Sequence, residues 1–190
     1  MANNASNVSM GKPKIGGAVY NAPLGTTLPT AASATLANDY KCLGYVSTDG
    51  LVNDGSRSTE EIKAWGGDTV ATLQTEKNDK FKLTLIEVLN IDVLKAVYGS
   101  DNVSGSLAEG IVLRSNASEL PASVWVFDIV MTDGIQKRIV VPNAKISEIG
   151  EITYKDDEAV GYEITLTAMT GDITFSYDTH KEYILKPSGE

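Results

Sequence analysis

Residues 68–99, DTVATLQTEKNDKFKLTLIEVLNIDVLKAVYG, change their hydrophobic period in mid-course. Phe81, Leu83 and Leu85 alternate with Lys80, Lys82 and Thr84. A strand through them therefore carries an apolar set on one face and a polar set on the other. Runs 69–76 and 80–88 both favour β structure, and the polar break Lys77-Asn78-Asp79 between them reads as the turn of a hairpin. At Asn90 the period becomes helical. Asn90 suits an N-cap, Asp92 sits where the helix dipole favours a negative charge, and Ile91, Leu94, Val97 and Tyr98 share one face. Gly99 suits a left-handed stop. A helix this short is unstable alone in water, so it must dock on the sheet or on a neighbouring subunit.

The rest of the chain is dominated by β signals. Short strands are expected at 43–47 and 111–114, and a strong one at 123–132, apolar on both faces except for Asp128. Asp133-Gly134 is a two-residue hairpin signal, with the return strand at 135–141 ended by Pro142. Runs 145–154 and 160–169 form a further pair around Lys155-Asp156-Asp157-Glu158, and 173–177 suits a last short strand. With no repeat and no linker, the reading is one all-β domain over 1–190, mainly β with one short α-helix, of roughly seven to nine strands at sandwich or barrel spacing.

Three segments lie outside this pattern. Residues 1–39 are rich in Gly, Pro and small polar residues and read as an extended N-terminal arm. Ile15, Val19, Tyr20, Leu24 and Leu28 are its apolar anchors, the alternative being a flexible tail with incidental hydrophobes. The loop 48–67 is long for a compact domain, and Trp65 beside Gly66-Gly67 suggests a packed anchor within it. Residues 178–190 read as a partly ordered C-terminal tail.

Twenty-five acids against 16 bases give a formal charge of −9. Tight binding to nucleic-acid phosphates needs a basic patch, and the densest positive spots, Lys12/Lys14 and Lys137/Arg138, are small. Cys42 is the only cysteine, which excludes an intrachain disulfide and a cysteine metal cluster. No apolar run reaches the length of a membrane span, and the run MANNASNVSMGKPK lacks the apolar core of a secretory leader. The expectation is folding in a reducing cytoplasm.

Catalytic chemistry finds little support. His180 is the only histidine and reads as a solvated tail residue, and no G-x-S-x-G elbow is present. Asp156, Asp157 and Glu158 lack the spacing of a calcium loop and read as a charged turn. Asp128 is open to three readings: a paired buried carboxylate, a subunit contact or an exposed residue, the last two preferred. Trp65 and Trp125 suit core or interface packing better than a carbohydrate platform. No catalytic residue, cofactor or metal is expected.

The ordered segments GKPKIGGAVYNAPLGTTLPT, LGYVSTDGLVND, TEEIKAWGGDTVATLQT, FKLTLIEVLNIDVLKAVYG and ITYKDDEAVGYEITLTA resemble the major tail tube protein of long-tailed, siphovirus-type bacteriophages. The likeness runs over residues 11–170, and EIKAWGGDTV and EVLNIDVLKAVYG carry most of it. It implies a β-sandwich or half-barrel, related to the type VI secretion tube protein, whose six copies form a ring. Stacked rings would make the tube for DNA ejection. Tape-measure, tail-terminator and baseplate or tip proteins are the implied partners, with DNA passing through the lumen unbound. The protein would sit in the virion tail after assembly in the host bacterial cytoplasm.

On that reading the 69–88 hairpin and the strands around 124–141 would supply the lumen wall. Thr72, Gln74, Glu76, Lys80, Lys82, Thr84 and Asp128 are the candidate lumen-facing residues. Ile15, Val19, Tyr20, Leu24, Leu51 and Trp65 are the candidate contacts between subunits or rings. The competing readings are a bacterial secretion-tube component of the same fold and a monomeric carbohydrate-binding β-sandwich.

Overall fold

A computed structural model describes residues 3–171 and 178–187. The strand expected at 173–177 lies outside the described residues. Two central strands organise the rest. β10 (Ser123–Met131) and β11 (Gln136–Ile149) pair antiparallel, with Phe127 opposite Ile139 and Asp128 opposite Arg138. Both faces of β10 are buried over Val124–Asp128, as a run apolar on both faces except for Asp128 requires. Trp125 and Phe127 enter the main core, while Val124 and Val126 enter a second, smaller cluster with Ala22, Tyr40 and Val140.

Each central strand is flanked by two short strands laid end to end. On the outer edge of β10 lie β1 (Gly11–Pro13) and β2 (Val19–Pro23), with β3 (Lys41–Cys42) beyond β2. The expected N-terminal arm is thus woven into the sheet. On the outer edge of β11 lie β13 (Lys181–Leu185), against 136–140, and β12 (Tyr162–Ala168), against 144–149. β7 (Lys80–Leu85) follows β12, and β4 (Val52–Asp54) closes that side.

Pro142 does not end the return strand. Between Val141 and Ala144, β11 has two residues, Pro142 and Asn143, where β10 has one, Val124, between Trp125 and Ser123. Pro142 falls in this bulge, one of the few places inside a sheet that tolerates a missing N–H. The outer partner changes from β13 to β12 at the same point.

β7 buries Phe81, Leu83 and Leu85 and exposes Lys80 and Lys82, as its period of two demands. It leads through residues 86–90 into α1 (Ile91–Tyr98). The Asn90 side chain accepts from the Asp92 N–H at 3.0 Å, and the N–H of Gly99 (φ 90°) closes the helix on the Lys95 carbonyl at 2.9 Å. Val93, Leu94 and Val97 are buried in the main core, each contributing about 1.5–3 kcal/mol of apolar burial.

The expected pairing of 69–76 with 80–88 is not formed. β6 (Thr69–Lys77) pairs with β5 (Arg57–Lys63), and β7 pairs with β12 and β4. The true turn is Ala64–Asp68, where Gly66 and Gly67 have φ of 119° and 98°. β5 therefore occupies much of the stretch expected as a long loop. Residues 103–113 form a second small hairpin, β8 (Val103–Ser106) with β9 (Gly110–Leu113).

Candidate functional site

The β5–β6 hairpin exposes every one of its strand residues. Its register pairs Ile62 with Ala71 and Glu60 with Leu73, and these four share one face. Glu61 pairs with Thr72 and Thr59 with Gln74 on the other. Ile62 and Leu73 remain more than half exposed, and Trp65 at the tip is fully exposed. The Gly67 N–H to Ala64 carbonyl bond (3.0 Å) and the Ala64 N–H to Asp68 carbonyl bond (2.8 Å) set the tip, and the Thr69 hydroxyl donates to Glu61 Oε2 at 3.1 Å. A two-stranded hairpin is marginal in water by itself. An amphipathic one that displays its apolar face is a surface shaped for contact.

A second surface is the outer face of β7 and β12. Lys80, Lys82 and Thr84 stand opposite Thr167, Thr165 and Glu163. Lys82 pairs with Glu163 at 3.0 Å, and Thr167 donates to Ser147 Oγ on β11 at 2.9 Å. The result is a hydroxyl-rich face whose charges are of both signs. Of the expected lumen-facing set, Lys80, Lys82 and Thr84 lie here. Thr72 and Gln74 lie on one side of the projecting hairpin, and a bulge at Thr75 sets Glu76 opposite Ser58 on the other side, so the hairpin residues and the β7 residues belong to different sheets.

Asp128 belongs to neither. It is 3% exposed and meets Arg138, itself 2% exposed, through two bonds, Nε to Oδ1 at 2.6 Å and Nη2 to Oδ2 at 2.7 Å. It is thus the paired buried carboxylate, not the exposed or contact residue preferred from sequence. Its even position in β10 turns it to the small second cluster. The signal was its cross-strand partner, since the Asp133-Gly134 turn sets Asp128 opposite Arg138.

The expected contact residues divide. Ile15 is 98% exposed, Leu24 is about half exposed and Trp65 fully exposed. Val19 is core, Leu51 packs against the main core, and Tyr20 is half-buried against the second cluster. Burial also pushes the Tyr20 phenol upward, with Cys42 and Asp128 adding to the effect. Trp65 is an exposed tip, not a packed anchor. Trp125 is buried and stacked on Phe127 at 6.5 Å, which removes it as a carbohydrate platform.

His180 is not a solvated tail residue. Its Nδ1 lies 2.5 Å from Oδ2 of the buried Asp79, and its ring stands edge-on to Phe81 at 5.3 Å. Sequence spacing offers no signal for a pairing across 101 positions. Among the described residues, no group of three or more His, Cys, Asp or Glu side chains could hold a metal ion, and no helix is long and apolar enough to cross a membrane.

The protein is thus mainly antiparallel β with an exposed amphipathic hairpin. The family model described as phage tail tube protein matches residues 1–179, and the chain belongs to that family. It is a structural component of a phage tail. No curated protein matches the chain. Among solved structures it is similar to the cryo-EM structure of the anti-feeding prophage cap, a tube-terminating cap, at 11% identity and a TM-score of 0.44, covering 97% of this chain and 100% of that one.

Proposed function

We propose that copies of this protein close into hexameric rings, and that the rings stack into the tail tube through which DNA is ejected. The β5–β6 hairpin carries this reading: among the described residues, nothing covers its apolar face or its tip Trp65. A neighbouring copy supplies that cover, and Ile15 and Leu24 add to the contact. Strand edges at β3 and β4 that are unpaired among the described residues are templates for another chain, and a closing head-to-tail contact removes them.

The β7–β12 face, with Lys80, Lys82 and Thr84, lines the lumen in this arrangement. Its hydroxyls and paired charges, within a chain of net charge −9, leave no basic track to hold phosphates. DNA slides past without specific binding. Tape-measure, terminator and baseplate or tip proteins complete the tail, and assembly takes place in the host cytoplasm.

Size-exclusion chromatography with negative-stain microscopy of concentrated protein tests the proposal. Six-fold rings and hollow tubes are the expected result. Rings of another order remove the hexamer. A chain that stays monomeric even beside the tip and tape-measure proteins removes the tube.

A further inference from the structure

Residues 78–79 are where the projecting hairpin meets the body, between the end of β6 and the start of β7. Asp79 sits there, 2% exposed. A carboxylate taken out of water is costly unless donors replace the water. Asn53 Nδ2, on β4, donates to Oδ1 at 2.8 Å. The Thr179 hydroxyl donates to Oδ2 at 2.5 Å, and His180 Nδ1 meets the same oxygen at 2.5 Å.

The ties extend outward from this carboxylate. Asn53 Nδ2 also reaches the Lys80 carbonyl at 3.2 Å, and Lys77 Nζ donates to Thr179 Oγ1 at 3.2 Å. The Asp79 carbonyl accepts from the Ala168 N–H at 2.8 Å, at the end of β12. One carboxylate thus gathers the strand before the hairpin, the residue after it, and the two residues that precede β13. Charged neighbours on these elements are Asp54, Lys77, Lys80, Asp178 and Lys181, the last two paired at 3.5 Å.

We propose that Asp79 makes the β5–β6 hairpin and the C-terminal strand β13 one coupled unit, so that freeing either end loosens the other. The carboxylate that aims the arm is the one that seats the strand. Its donors come from both sides, so a change of occupancy on one side is felt on the other. Coupling of this kind is reciprocal, and it holds whether or not rings form.

The test perturbs each side and reads the opposite one in the full chain. Asn53→Ala acts from the hairpin side; amide exchange in 181–185 is expected to rise about tenfold, the scale of one lost buried hydrogen bond, while β10 amides stay protected. His180→Phe acts from the C-terminal side. Spin labels at Trp65→Cys and Glu148→Cys, in a Cys42→Ser background, are expected to show a broader distance distribution. Should His180→Phe lower protection throughout the chain, Thr179→Val removes one donor at nearly constant volume and repeats the reading. Unchanged β13 exchange in Asn53→Ala, or an unchanged tip distribution in the C-terminal variants, overturns the coupling.

Discussion

Arg138 grips Asp128 through two of its nitrogens and the backbone of the N-terminal segment through the third. Its Nη1 donates to the carbonyls of Ala34 (2.6 Å) and Ala31 (3.2 Å). Lys14 Nζ stands 3.5 Å from Asp128 Oδ2 on the exposed side. The pair therefore pins residues 31–34 over the second cluster, where Tyr40 is buried and its phenol is pushed up to about 12.

Removing one member leaves the other charge buried without its partner. Asp128→Ala is expected to lower unfolding stability by about 3–5 kcal/mol, read from urea denaturation. A double variant, Asp128→Leu with Arg138→Met, is expected to recover most of that loss. Equal losses in the single and double variants contradict the account.

The Asn90 cap predicts a smaller effect. Its side chain accepts from Asp92 N–H and donates to Glu87 Oε2 at 3.1 Å. Asn90→Ala is expected to cost about 1 kcal/mol, while Asn90→Ser keeps a capping acceptor without setting a second carboxylate against Glu87 and loses less. Denaturation midpoints of the two variants decide this.

Acid should act through Asp79. Burial raises its pKa, but the hydrogen bonds from Thr179, Asn53 and His180, with the charge of His180, outweigh that and leave it lowered. A carboxyl lowered on folding adds stability that is present in full above its unfolded pKa, about 3.9. That contribution is lost as pH falls through the lower folded value. The stability difference between the native chain and Asp79→Asn should shrink as pH falls below about 4. A difference that grows in acid reverses the sign and defeats the assignment.

Hairpin substitutions should separate assembly from folding. Trp65→Ser and Leu73→Ser replace exposed side chains, so the monomer's stability is expected to move by no more than about 0.5 kcal/mol. Tube formation, read by sedimentation and microscopy, is expected to fail. Tubes that form normally from Trp65→Ser remove the tip from the contact.

Lumen facing has its own readout. With Cys42→Ser as background, Thr84→Cys in assembled tubes should react slowly with a bulky thiol reagent, and Ile15→Cys should differ between free and assembled protein. Rapid labelling of Thr84→Cys from outside the tube places β7 on the outer wall.

Periodicity made β7, α1 and the buried faces of β10 legible, because Phe81, Leu83, Leu85 and the Asn90–Gly99 caps are local signals. It says which face a residue takes, not which strand lies beside it. Lys77-Asn78-Asp79 looked like a turn because it is short and polar, yet Asp79 is polar in order to be gripped by Asn53, Thr179 and His180. The actual turn was marked by Gly66-Gly67. Asp79–His180 and the N-terminal pairing with β10 join residues far apart in the chain, and no spacing rule reaches that distance.

Pro142 has a consequence for alignment. A strand that slips by one residue against its neighbour turns its whole apolar set to the wrong side. Sliding β11 along β10 would carry Pro142 out of its bulge and into the regular ladder, where its missing N–H forfeits a bond. The imino acid works as a peg. β12 and β13 take their positions from β11, and β1 and β2 take theirs from β10, so the registration of all these strands is keyed to one ring closed on a backbone nitrogen.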